Sequence, residues 1–161
     1  MNLLKWGVEM NHRGEIENLV YAYQERLDAG DLVGMAALFE HATVGGVDEG
    51  SPMRGSADVL ATFKNVLRVY ENGTPRTTHT TLNPIITVDE EAGTATCRSV
   101  YVVYQQTDTF PLQPVVTGRY HDKFELVDGA WRFSERVYIV DLLGDLSAHQ
   151  LVELHQTPAD R

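Results

Sequence analysis

Apolar residues in the first part of the chain recur at helical intervals. Ile16, Leu19, Val20, Tyr23 and Leu27 make one stripe, with Glu15, Glu17, Glu25 and Arg26 mostly off it. This spacing predicts an amphipathic helix over residues 11–28. Gly30 suits a left-handed helix stop, and Asp31 reads as the N-cap of a shorter second helix carrying Leu32, Met35, Leu38 and Phe39. A short strand is expected at 43–47 and a polar loop at 48–55. Ser56 then caps a third helix with Val59, Leu60, Phe63, Val66 and Leu67 inward, stopped by Asn72-Gly73-Thr74-Pro75. From there the pattern changes. Residues 77–88, 94–106, 115–127 and 131–142 are rich in Thr, Val, Ile, Tyr and Phe and read as strands, with Asp128-Gly129 as a tight hairpin turn. Three helices followed by long consecutive strands predict an α+β fold with the helices on one face of a curved, mostly antiparallel sheet. One domain is expected over residues 1–161, with a core at about 11–143 and a polar tail at 147–161 that reads as a loose end.

Composition narrows the partners more than the chemistry. The 161 residues are 43% apolar, enough for a sizeable core, and 13 basic against 23 acidic residues give a formal charge of −10. That balance argues against nucleic acid and against an anionic membrane surface, both of which need clustered Lys and Arg. The lone Cys97 has no partner for an internal disulfide, which favours a reducing, cytoplasmic setting, and it reads as a buried structural thiol. The first ten residues hold Lys5 and Glu9 and no long apolar core, so no secretory leader is expected. Gly-rich phosphate loops, His-x-x-x-His or Cys-x-x-Cys spacings and a Gly-x-Ser-x-Gly elbow are all missing, so the expectation is no cofactor and no metal.

Two residues carry the candidate chemistry. His79 lies in Arg76-Thr77-Thr78-His79-Thr80-Thr81-Leu82-Asn83, where one imidazole sits among hydroxyls in a strand free of charge over 77–88. Asp28 falls at the C-terminal end of the first helix, where the helix dipole disfavours a carboxylate unless a partner offsets it. A strand histidine facing such an aspartate is a common way to build a general base. The plainer readings are a hydrogen-bonded core histidine and a solvated aspartate. His12 and His41 look like helix-edge residues, and His149 and His155 fall in the polar tail. Tyr120 and His121 alternate, so one faces inward. Tyr23 lies on the apolar stripe, where it serves equally as core. Arg119, Asp122 and Arg136 read by default as surface pairs.

The succession of elements resembles the SnoaL-like branch of the nuclear transport factor 2-like superfamily. The likeness rests on Tyr23-x4-Asp28-x2-Asp31, Leu38-Phe39, the His79 strand ending in Ile86-Thr87-Val88-Asp89, and Thr94-Ala95-Thr96. It continues through Gly118-Arg119-Tyr120-His121-Asp122 and ends at Asp128-Gly129-Ala130-Trp131-Arg132-Phe133-Ser134-Glu135-Arg136. It implies a cone-shaped α+β barrel with a deep apolar pocket at the open end, and self-association into a homodimer or trimer. Among the branch's lyases (bile-acid 7α-dehydratase, scytalone dehydratase and hexachlorocyclohexane dehydrochlorinase), Asp28 and His79 fall on the Asp–His pair and Tyr23 on a catalytic tyrosine. Tyr101, Val103, Gly118, Tyr120 and Val47 are then expected to line the pocket. Val103 stands where the bile-acid enzyme has a further aspartate, while Val47 and Tyr120 stand where the scytalone enzyme has a tyrosine and an asparagine.

In this reading Asp28 fixes the imidazole tautomer, His79 removes a proton beside an electron-withdrawing group, and Tyr23 donates to the carbonyl or leaving group. The expected activity is that of a cofactor-independent dehydratase on a small apolar cyclic molecule. The alternatives are a non-catalytic binding or subunit-interaction protein, like the small subunit of ring-hydroxylating dioxygenases, and a polyketide-cyclase-type enzyme. Fold alone does not choose among them.

Overall fold

The computed structural model describes residues 11–46 and 50–157. Val47 and the first ten residues, on which the leader expectation rests, lie outside them. Helix α1 (His12–Asp28) starts where the Asn11 side chain accepts the Gly14 N–H at 3.0 Å, and it buries Ile16, Val20, Tyr23, Gln24 and Leu27. Gly30 ends it at φ +78; a Cβ there would meet the Gly73 carbonyl oxygen at 1.9 Å, so only glycine fits. Asp31 caps α2 (Leu32–Ala37) through the Gly34 N–H at 2.8 Å, as the sequence predicts.

β1 (Thr43–Gly46) is followed by a strand that the pattern does not foresee, β2 (Met53–Arg54), too short to show a period. Helix α3 (Gly55–Val66) corrects two expectations. Ser56 lies inside its first turn, and the cap residue is Arg54, whose N–H donates to Asp58 Oδ2 at 3.0 Å. The helix also stops at Val66, well before Asn72, because Leu67 turns extended to bridge Gln150.

Four long strands follow: β3 (Thr77–Asp89), β4 (Thr94–Thr107), β5 (Phe110–Val127) and β6 (Ala130–Leu143). The sheet order is β2-β1-β6-β5-β4-β3, with β1 parallel to β6 and the other pairs antiparallel. The α+β expectation holds; the sheet stays open, with β2 and β3 as its edges. β4 shows the period most clearly, turning Ala95, Cys97, Ser99, Tyr101, Val103 and Gln105 inward. In β6 the period breaks. The register slips where Lys123 pairs with Glu135 but Phe124 pairs with Phe133, so the inward set passes from Trp131 and Phe133 to Arg136, Tyr138 and Val140.

The tail is not a loose end as far as Thr157. Residues 144–157 form a strap that returns across the end of α3, with the Arg68 N–H donating to the His149 carbonyl at 3.0 Å and the Leu151 N–H to Val66 at 2.8 Å. Its far end is held where Val140 and Thr157 exchange hydrogen bonds. No described helix is long and apolar enough to cross a membrane.

Candidate functional site

Helix α1 lies along β3, and the two periods match. Four residues of helix advance about 6 Å and two residues of strand about 6.6 Å, so Gln24 and Asp28 meet alternate residues of β3. The Gln24 amide donates to the Thr81 hydroxyl. Asp28 gathers three donors. Thr77 Oγ1 gives to its Oδ1 at 2.8 Å, the His79 backbone N–H gives to Oδ2 at 2.7 Å, and His79 Nδ1 stands 2.6 Å from Oδ1. The carboxylate thus fixes both the backbone and the ring of His79. With Nδ1 bearing the proton toward Asp28, the basic lone pair is left on Nε2. The imidazole is 6% exposed and the carboxylate 21%. Val103, an apolar and buried residue, stands directly across the strand pair from His79.

A second imidazole approaches from the strap. The His149 ring centroid lies 6.3 Å from that of His79, tilted by 57°. His149 is 4% exposed, and its Nδ1 is buried without a hydrogen-bond partner. Burial first, and the neighbouring His79 second, push this imidazole down to about 4 against a pull from Asp28. Its backbone is pinned on both sides: the Ala148 carbonyl accepts from Tyr70 Oη at 2.6 Å and from Gln105 Nε2 at 2.9 Å, and the His149 carbonyl accepts from Arg68.

Further inside, the interior holds a charged group in an aromatic box. Arg136 Nε and Nη2 donate to the two oxygens of Asp122 at 2.7 and 2.8 Å, with both side chains fully buried. The guanidinium carbon sits 4.3 Å from the ring centres of Tyr23 and Tyr120 and 4.9 Å from that of Phe133. The default reading of Asp122 and Arg136 as a surface pair is therefore wrong; only Arg119 is exposed, paired with Asp141. Burial opposes the Arg136 charge, but Asp122 more than compensates and raises its pKa.

Tyr23 belongs to this layer. Its hydroxyl shares a 3.2 Å hydrogen bond with Tyr138, and its ring meets Phe39 and Tyr120 edge-on. The structure places its contacts here and not with the Asp28–His79 pair. Burial raises the pKa values of the Tyr23 and Tyr120 phenols, so both are neutral at pH 7. Tyr120 is inward and His121 outward. Tyr101 stacks on Tyr120 at 4.3 Å, and Gly118 makes room for it, because a Cβ there would meet the Tyr101 hydroxyl at 2.6 Å. The expected pocket residues Tyr101, Val103, Gly118 and Tyr120 thus pack into one wall, while Val47 lies outside the described residues. A cleft of about 420 Å³ is lined by Leu143, Leu146, Gln150, Leu154, His155 and other strap residues, not by the pair. Among the described residues no group of three or more His, Cys, Asp and Glu is placed to hold a metal ion.

The SnoaL-like domain family matches residues 8–137, most of the chain. The protein belongs to this family. Among solved structures, a variant of a Mycobacterium tuberculosis protein of unknown function is 26% identical, with a TM-score of 0.65 over 82% of this chain and 73% of that one. A candidate scytalone dehydratase from Novosphingobium aromaticivorans is 24% identical, with a TM-score of 0.70 over 93% and 94%. The beta subunit of a candidate aromatic-ring-hydroxylating dioxygenase from the same organism is 21% identical, with a TM-score of 0.64 over 83% and 91%. No curated protein matches significantly.

For this SnoaL-like chain, sequence reasoning missed His149, Gln24 and the buried Asp122–Arg136 pair. Gln24 and Asp28 stand four apart on the helix, facing Thr77, His79 and Thr81 spaced by two, and that pairing of periods was a usable signal. The phase break at Ser134 in β6 carries none, since simple alternation from Trp131 would turn Glu135 inward and Arg136 out.

Proposed function

We propose that the protein is a cofactor-independent lyase, a dehydratase acting on a small, largely apolar cyclic molecule that bears a carbonyl. The observation that carries this is the engagement of His79 Nδ1 by an Asp28 carboxylate that also holds the His79 N–H and the Thr77 hydroxyl. His79 Nε2 takes the proton from the carbon beside the carbonyl, the carbon–oxygen bond breaks, and the departing hydroxide takes that proton to leave as water. Tyr23 stays a structural member of the aromatic layer. The test follows the ultraviolet band of the unsaturated ketone formed from a panel of cyclic β-hydroxy ketones. His79→Gln should lose about 10²–10⁴-fold in turnover. An unchanged rate in that variant sinks the proposal.

A non-catalytic binding protein is the second reading, favoured by the apolar Val103 opposite His79 and by the packed wall behind it. In that case ligands bind with no turnover in wild type or variant. We also infer a cytoplasmic homodimer joined through the outer sheet face, where Leu82, Val100, Tyr104 and Leu142 are exposed. Sedimentation showing a monomer at micromolar concentration would refute it.

A further inference from the structure

Among the described residues with a buried polar atom that lacks a hydrogen-bond partner, which also include Arg68, Ser99, Gln105, Arg136 and Gln150, His149 is the one whose ring neighbours His79. A buried polar atom without a partner costs free energy, so structures rarely keep one idly. Nδ1 of His149 is such an atom, on a residue 4% exposed, whose ring faces His79 across 6.3 Å between centroids. Three hydrogen bonds to carbonyl oxygens, from Tyr70, Gln105 and Arg68, hold the backbone at residues 148 and 149 that carries the ring. The fold thus spends several ordered contacts on presenting an imidazole whose own hydrogen bond is missing.

The distance suits a shared ligand. A base nitrogen lies about 3 Å from the carbon it deprotonates, and a donor nitrogen about 3 Å from the oxygen it polarises. With the carbon and oxygen two bonds apart, the two nitrogens would stand roughly 6–8 Å from each other, the same order as the 6.3 Å between the ring centroids.

We propose that His149 is a second substrate-contacting imidazole, which donates a hydrogen bond to the carbonyl oxygen of the substrate while His79 removes the adjacent proton. This rests on the lyase reading and names the group that receives the developing charge. His79 Nε2 forms the new N–H bond, and the electron pair of the broken C–H bond moves through carbon onto the carbonyl oxygen. His149 stabilises that oxygen without giving up its proton. The pair then returns to expel the hydroxyl, which leaves as water with the proton that His79 held. A neutral imidazole fits the role, because it donates to the oxyanion without the cost of burying a cation, and burial keeps His149 neutral at pH 7. The strap then completes the site, since residues 144–157 carry the donor and α1 and β3 carry the base.

The probe is 4-nitrophenol, whose phenolate mimics the enolate oxygen and reports its ionisation by absorbance. Titrated into the full-length protein, it should bind wild type with the phenolate favoured. His149→Phe keeps the ring volume and removes the donor; binding should weaken about 10- to 100-fold and the bound phenolate fraction should fall. His149→Gln keeps an N–H donor and should recover most of both. If the Phe variant does not fold, His149→Leu makes the same comparison. Equal affinity and equal phenolate fraction in wild type and the donorless variant overturn the proposal, as does wild type that binds no 4-nitrophenol at millimolar concentration. His79→Gln separates the two claims: if it keeps full turnover of hydroxy ketones the lyase reading falls, whereas the phenolate titration reports on His149 alone.

Discussion

Replacing Arg136 with Met tests the inner layer most directly. The substitution keeps an unbranched side chain but leaves the Asp122 carboxylate fully buried with neither of its 2.7 and 2.8 Å hydrogen bonds. Removing one partner of a buried pair costs about 3–5 kcal/mol, chiefly because the remaining charge is stranded. The guanidinium also loses two aromatic faces at 4.3 Å, a contribution that overlaps the first and is not added to it. For a chain of this size each kcal/mol moves the midpoint by about 2–4 °C, so Tm should fall by roughly 8–16 °C for a 4 kcal/mol loss. The double variant Asp122→Leu with Arg136→Met strands no charge and should lie much nearer to wild type. Urea unfolding followed by circular dichroism at pH 7 measures all three proteins. A loss below 1 kcal/mol for Arg136→Met, or a double variant as unstable as the single one, would show that the pair does not hold the interior as argued.

Two further outcomes follow from the same contacts. The folded-state value of His149, about 4, lies below its unfolded value of 6.5. Its contribution is therefore complete above pH 6.5 and is lost progressively as pH falls toward 4, to a total of about 3 kcal/mol. Amide exchange at Arg68 and Leu151, whose N–H groups tie down the strap, should accelerate across that window more than exchange in β4; equal acceleration in both refutes the local release. Gly118→Ala should cost about 1–3 kcal/mol, because the new methyl would sit 2.0 Å from the Ile139 carbonyl oxygen, a backbone atom with little room to yield. An unchanged Tm contradicts this.

Most of the architecture was visible in the periodicity, for a physical reason. α1 and β4 each bury one face, so their apolar residues recur at the element's own period and betray it. What stayed hidden depends on contacts between distant segments. β2 has two residues and exists only because β1 is beside it. The strap is polar in sequence, yet its backbone finds partners on α3 and β6, so polarity misled about its order. His149 was dismissed for the same reason. Arg136 was placed on the surface because a one-residue slip in β6, invisible in the composition, turned it inward. Asp28 and His79 were legible because each sits oddly for its position: an acid at a helix C-terminus and a lone imidazole in an uncharged strand.

That oddness explains why the pair stands where the sheet stops. β3 is an edge strand, so alternate backbone N–H groups point away from β4 with no ladder partner. The His79 N–H is one of these, and Asp28 accepts it at 2.7 Å. A carboxylate there offsets the unfavourable end of the α1 dipole with three donors, covers the exposed edge, and orients the imidazole at once. Asp28→Asn therefore disturbs more than the imidazole. One oxygen of the amide can still accept, but its NH2 group must face a donor that the second carboxylate oxygen had satisfied, stranding a partly buried N–H. The expected cost is about 1–3 kcal/mol in urea unfolding, together with faster amide exchange at His79 and its neighbours in β3. His79→Gln leaves the carboxylate and the backbone contact intact and should cost less. If Asp28→Asn is as stable as wild type and β3 exchange is unchanged, the carboxylate is not what holds the edge, and its only role is toward the imidazole.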